Sequence, residues 1–314
     1  LVNDASTDNT WKLITEFEAS HPESVIAINL EHNMRQGGAR NIALDYASAE
    51  YIMFFDSDDR LADDACEWMY HTAKHYDLDI LQGAFFACSN GVTEETITTR
   101  AKAGDNIGLF DLSDNNIRTE FLTNAPIPFG CCFKLYNRSL IERVGSRFAE
   151  HVMYEEPLFV FPLICGAGKI GVIDEIIMYV RIHADSTMQS NRGQNHRLME
   201  HPKVQLQLLF WLKQHPDLFL PFKDEILFYF VTTFYLETIM FCVSENKPIS
   251  VYDYEWLRTV ILSEIPDYKN NYFITYDTRL LKLMDNMSES FILTGVEELN
   301  NYLISVHSMF ELIE

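Results

Sequence analysis

An α/β domain followed by an all-helical one is the architecture this sequence predicts, and three observations predict it. From residue 1 to about 190, short apolar runs alternate with stretches of helical periodicity. That order implies right-handed crossovers and a mainly parallel sheet with flanking helices. From 191 to 314 helical periodicity alone continues, enough chain for a separate domain. Third, the run Tyr51-Ile-Met-Phe-Phe-Asp56-Ser-Asp58-Asp59 reads as a short buried strand ending in carboxylates, where ligands of open α/β sheets bind.

The elements follow in order. Leu1 to Asn3 is the end of a strand, so the chain opens inside one. Thr10 to Ala19 is helical, with Asp8 or Asn9 as its N-cap. Val25 to Leu30 is a strand, Gly38 to Ser48 a helix entered through Gly37-Gly38, and Tyr51 to Phe55 the next strand. Asp63 to His75 is helical and Leu78 to Cys88 returns to strand; Gly91 to Asp114 weakens into turns and short strands. Beyond it lie helix Asn116–Thr123, strand Phe129–Tyr136, helices Ser139–Val144 and Glu155–Cys165, and strand Ile176–Ile182. The second domain is carried by Arg197–Gln214, Phe222–Val243, Tyr252–Ser263, Thr278–Asp285 and Val296–Leu312. Its longest apolar stretch, Ile226 to Val243, is broken by Glu237 and two threonines and reads as a buried helix more than a membrane span.

Composition narrows the chemistry. With 314 residues, 47% of them hydrophobic, the chain can bury a large core. The net charge of -22, from 46 acidic and 24 basic residues, argues against nucleic acid as a partner and against electrostatic docking on an anionic membrane. An acidic chain still accepts a nucleotide diphosphate where a divalent cation and local arginines mediate. Six cysteines without C-x-x-C spacing read as reduced core thiols, which suits a cytoplasmic protein.

Asp56 and Asp58 stand two residues apart and can share one hard cation that is also bound to a phosphate. The bland alternative is a solvated acidic turn before the next helix. An EF-hand begun at Asp56 fails, because Arg60 and Leu61 fall where an oxygen ligand and glycine belong. No P-loop motif is present.

Taken together, the first 190 residues resemble family-2 glycosyltransferases of the GT-A fold, of the kind that builds bacterial surface polysaccharide or lipopolysaccharide. Val2-Asn-Asp4-Ala-Ser6-Thr-Asp8 resembles the motif V-N-D-G-S-T-D, and Asn33 to Asn41 resembles N-x-G-x-x-x-A-R-N with Arg35 in place of Gly. Tyr51 to Asp59 matches Y-I-x-F-x-D-S-D-D. Phe133 to Leu140 and Arg147 to Phe159 resemble the run K-L-Y-x-R-x-L … R-F … Y-E-D-x-x-F, with Glu155-Glu156 where the family has E-D. The family also carries a preceding strand such as P-V-Y-N, which this sequence does not contain.

The resemblance implies an inverting transfer of a sugar from a UDP-sugar to the hydroxyl of a glycan or lipid-linked glycan, aided by Mn2+ or Mg2+. Asp58 is then the direct metal ligand, Asp56 the ribose contact that also touches the metal through water, and His183 a late addition to the metal sphere. Asp4 accepts from the uracil N3–H, Arg40 meets the base or phosphates, and Gly37 and Gly38 allow close backbone approach. Glu156 is the general base, supported by Glu155. Each has a plain structural alternative: a strand-end turn for Asp4, an ion pair for Arg40, a first-turn acid for Glu156. Lys134 and Tyr136 fall on the acceptor side of the sheet, with Tyr136 reading more as core. A homodimer and a peripheral contact with the inner face of the plasma membrane are compatible with this reading. So is a non-catalytic relative that binds a glycan or a partner protein, which the absent strand and Glu156 would suit.

Overall fold

In the computed structural model the described residues are 1–88, 107–124, 127, 130–182, 198–244, 249–288 and 295–310. They group into two compact units: Leu1–Arg118 with Pro126–Gln189, and Thr119–Ala125 with Ser190–Glu314.

The first unit is α/β. A two-stranded parallel sheet pairs β1 (Val2–Asn3) with β2 (Ile28–Asn29), joined through α1 (Thr10–Ser20). After α2 (Arg35–Tyr46) come β3 (Tyr51–Met53), β4 (Arg60–Leu61), α3 (Ala65–Tyr76) and β5 (Ile80–Cys88). Then follow β6 (Ile107–Asp111), α4 (Asn115–Asn124, counted with the second unit from Thr119), β7 (Lys134–Asn137), α5 (Arg138–Val144), α6 (Pro157–Gly166) and β8 (Lys169–Arg181). The larger sheet has the order β3-β7-β5-β8-β4, with β6 also on β8.

The strand–helix alternation and the α/β class hold, but the strand directions are mixed instead of mainly parallel. β5 and β8 are parallel, whereas β7 runs against both β3 and β5, and β4 and β6 run against β8. The crossover rule sets the hand of a connection between parallel strands and does not decide whether strands run parallel. β8 also begins seven residues before the expected Ile176. Asp79 explains this start, its Oδ2 accepting from Gly168 N (2.6 Å) and Lys169 N (3.2 Å). β5 buries Ile80, Leu81 and Gln82 against β7 and β8.

An aromatic cluster fixes the edge of the unit that matters most. Phe54, just past β3 and 7% exposed, meets the rings of Phe148, Phe159 and Tyr136 edge-on, at centroid distances of 5.0, 5.4 and 6.1 Å. Phe148 stacks on Phe159 at 4.2 Å. Such pairs add about 0.5–1.5 kcal/mol each beyond area burial. They bind the end of β3, strand β7, the 145–156 segment and α6 into one core.

The second unit is helical: α7 (Glu200–Lys213), α8 (Pro216–Ser244), α9 (Val251–Glu264), α10 (Tyr272–Tyr276), α11 (Thr278–Ser288) and α12 (Val296–Phe310). α8 is long and apolar enough to cross a membrane by length and composition, yet 61% of its most apolar window is buried. Phe230, Phe234, Tyr235 and Ile239 lie in the core of the unit, as expected of a core helix. A π-helical turn at Val231–Leu236 interrupts it, beside Thr232 and Thr233, whose hydroxyls both donate to the Tyr229 carbonyl. Hydroxyls bonded back into the preceding turn commonly accompany such distortions.

Helix α3 ends on Asp77 in the left-handed region (φ 54°), its N–H bonding back to the last turn. A side chain is strained there and glycine is not. The Asp77–Lys169 ion pair is exposed and worth little (3.5 Å). Asp77→Gly should therefore stabilise the first unit by about 0.5–1 kcal/mol, read as a higher midpoint in thermal unfolding.

Candidate functional site

The site is organised around the first two turns of α2. Asp4, at the end of β1, accepts from the N–H of Met34 through Oδ1 (2.6 Å), and its carbonyl accepts from Asn33 Nδ2 (3.1 Å). The carboxylate so placed satisfies an otherwise unpaired donor at the helix N-terminus. This is the strand-end role that was the plain alternative for Asp4, and it engages one oxygen. Ala5 and Arg35 flank this junction with φ of 55° and 59°. The resembled motifs carry glycine at these two places.

One face of α2, at positions 37, 40, 41 and 44, packs inward. An added Cβ on Gly37 would lie 2.0 Å from the carbonyl oxygen of Ala149. Gly38 is also buried, and a Cβ there would meet the Met34 side chain at 2.5 Å. Asn41 accepts from Phe148 N (2.9 Å) and donates to the Phe148 carbonyl (3.0 Å) and to Glu150 Oε1 (2.9 Å). The helix thus grips the 148–155 segment through a glycine contact and a side-chain amide.

Arg40 completes the grip. One terminal nitrogen donates to Glu155 Oε1 (2.5 Å), the other to Asp56 Oδ1 (2.7 Å), and the guanidinium carbon stands 5.5 Å from the Phe148 ring centroid. Its side chain is 11% exposed. Burial pushes the Glu155 carboxyl above its ordinary value, and Arg40 opposes the shift. The ion-pair alternative for Arg40 is therefore realised, as a buried bridge and not as a surface pair.

Asp56 is partly exposed and Asp58 exposed. Asp59 Oδ1 accepts from Arg181 N (3.0 Å), anchoring the acidic turn to β8. Burial raises the Asp59 carboxyl, and the charges of Asp58 and Asp56 push the same way. Neighbouring carboxylates are hard oxygen donors that suit a divalent cation. Among the described residues no three His, Cys, Asp or Glu side chains form a metal cage. His183 lies outside the described residues.

Glu156 is half-buried at the start of α6, and its Oε1 accepts from the N–H of Cys131 (2.7 Å). Adjacent to it in sequence, Glu155 faces Arg40. Lys134 does not face an acceptor: it is 0% exposed and donates to the Gly130 carbonyl (2.5 Å). Tyr136 is core, its hydroxyl donating to the Cys131 carbonyl (3.2 Å). The bonds from Cys131 and Lys134 were missed from the sequence, whose only signal was a lysine in a strand otherwise apolar.

The structure thus links Asp4, Gly37, Gly38, Arg40, Asp56 and Glu155 through contacts on α2, with Asp58 and Asp59 beside Asp56 and Glu156 beside Glu155. An α/β sheet carrying this acidic strand end defines a GT-A type domain. Residues 1–145 match the family described as "Glycosyl transferase family 2".

A teichoic acid poly(glycerol phosphate) polymerase of Staphylococcus epidermidis is 42% identical over 62 residues, covering 20% of this chain and 9% of the relative. A poly(ribitol-phosphate) beta-glucosyltransferase of Bacillus spizizenii is 25% identical over 190 residues, 60% of this chain and 28% of the relative. The chain thus spans less than a third of the length of these two curated relatives. S. aureus TarS 1-349, solved with UDP-GlcNAc, aligns with a TM-score of 0.48 and 18% identity, covering 88% of this chain and 82% of that one.

Gly37→Ala tests the grip of α2. Its methyl must displace the backbone at Ala149, which overpacking arguments put at about 3 kcal/mol. The expected result is a lowered thermal midpoint with loss of the ligand binding described next. A variant as stable as wild type would show that α2 and the 149–155 segment are not in contact.

Proposed function

We propose that this chain is an inverting glycosyltransferase that moves a hexosyl or N-acetylhexosaminyl group from a UDP-sugar to a glycan or lipid-linked glycan in bacterial surface-polymer synthesis. One observation carries the reading: Arg40 joins the strand-end carboxylate Asp56 to Glu155. Through that bridge the acidic motif and the Glu155-Glu156 turn, 99 positions apart, are held on one helix of a family-2 domain. Relatives named for poly(glycerol phosphate) and poly(ribitol-phosphate) support a cell-surface polymer as the product class. A site at the cytoplasmic face of the membrane follows from that chemistry.

The residues divide the work. Asp4 keeps one carboxylate oxygen beyond the Met34 bond, which suits the N3–H of uracil. Asp56, held by Arg40, would orient a ribose. Asp56 and Asp58 would hold Mn2+ or Mg2+, which when bound neutralises charge on the departing diphosphate. Glu156 takes the proton of the acceptor hydroxyl as that oxygen attacks the anomeric carbon from the face opposite the diphosphate. Its bond from the Cys131 N–H fixes the direction of one carboxylate oxygen. Glutamate in place of the family's aspartate extends the reach by one methylene and leaves the chemistry unchanged.

Asp58→Ala should abolish the manganese-dependent part of UDP binding, measured by calorimetry with and without the ion. Unchanged affinity would remove Asp58 from the metal site. Glu156→Gln should bind UDP within about twofold of wild type while UDP release from a panel of UDP-sugars falls by about 100-fold or more. Full activity in that variant would place the base elsewhere, and failure of the wild-type chain to bind UDP would sink the transferase reading altogether.

A further inference from the structure

The Gly130–Cys131 peptide group has its two ends bonded to oppositely charged side chains. Its carbonyl accepts from the Lys134 ammonium at 2.5 Å, and its N–H donates to Glu156 Oε1 at 2.7 Å. In a planar trans peptide these bonds leave in opposite directions, so the amide stands between cation and carboxylate. We propose that Lys134 is a positioning residue that acts on Glu156 through this single peptide group, polarising it so that the carboxylate is held in one orientation and in its ionised form. The inference rests on the reading of Glu156 as the general base, and it adds a residue that touches neither donor nor acceptor.

The surroundings make the coupling strong. Lys134 is fully buried, with its ammonium 4.5 Å from the centroid of the Phe133 ring. Phe133 itself takes a left-handed backbone (φ 51°) to make the turn into β7. The titratable groups that face Lys134 are Cys131 and Cys132 on the preceding segment and Glu156 before α6. Burial pushes the Cys131 thiol up, so it stays neutral, leaving the Glu156 carboxylate as the charge that supports the ammonium. Burial lowers Lys134 to about 8, so the side chain is mainly protonated at neutral pH. Hydrogen bonds in series, in a medium of low dielectric, strengthen one another. Among the described residues Lys134 has no direct carboxylate partner, which makes a buried ammonium costly, and a purely structural strand position would be better met by an apolar side chain.

The test is a titration of Glu156 that does not depend on turnover. Carboxyl-13C glutamate labelling of the whole chain, with the Glu156 signal assigned by its loss in Glu156→Gln, gives a midpoint for wild type, Lys134→Met and Lys134→Gln. The midpoint should rise by about one pH unit in both lysine variants. The acidic limb of UDP release from the best UDP-sugar should move the same way, with kcat down about tenfold and the donor KM unchanged. Lys134→Gln keeps a donor for the Gly130 carbonyl, and it serves if the methionine variant does not fold. A midpoint that stays at the wild-type value in the folded variants overturns the proposal. A shifted midpoint with Glu156→Gln fully active would instead sink the base assignment and leave the coupling standing.

Discussion

The buried guanidinium of Arg40 is the constraint on which the rest of the site depends. Taking a charge and its partners out of water costs several kcal/mol per ion, recovered only with good geometry. Here two carboxylates divide the two terminal nitrogens, and the Phe148 ring lies alongside. A planar fork can serve two acceptors at fixed directions, which a lysine ammonium on a flexible stem cannot do equally well. Removing Glu155 would leave the guanidinium only the partly exposed Asp56 as counter-charge, whereas the Asp56 contact is already weakened by solvent. The arrangement thus ties together the end of β3, the first turns of α2 and the turn before α6.

Backbone strain is concentrated at the same place. Among the described non-glycine residues with left-handed backbone, Ala5 follows Asp4, Arg35 opens α2, Phe133 precedes Lys134, and His151 and Tyr154 precede Glu155. Only Asp77, at a helix end, lies apart from these segments. Each costs about 1–2 kcal/mol, and such outliers persist where the surrounding contacts over-determine them. The contacts are visible in this case. Met34 N holds Asp4, Asn41 holds Phe148, and Arg40 holds Glu155.

Local signals in the sequence carried the architecture; pairings across the chain did not show. The apolar run at Tyr51 to Phe55 and the helical periodicity of Thr10 to Ala19 or Val296 onward are properties of adjacent residues, and the structure has elements there. β4 is two residues long and α10 five, too short for any period to register. The direction of β7 shows only in its pairings with β3 and β5, distant in sequence, which no local pattern encodes. The same division applies to the site. Asp56 and Asp58 were legible because one short motif holds them, and Arg40 because its motif places it. Its Glu155 partner lies 115 residues away, and the Gly130–Cys131 peptide offers no side-chain signal at all.

Charge balance then decides how a diphosphate could be accommodated. Arg40, the fixed cation expected to meet the phosphates, already has a carboxylate on each terminal nitrogen. Lys134 is fully buried and engaged with a backbone carbonyl. Against these stand Asp56, Asp58, Asp59, Glu155 and Glu156, in a chain whose net charge is -22. A diphosphate arriving alone at these five carboxylates would be repelled by them. Neither buried cation can turn to meet it without stranding the groups it now satisfies. Under the proposed function a divalent ion would supply the counter-charge that Arg40 and Lys134, already committed to protein groups, do not offer a nucleotide.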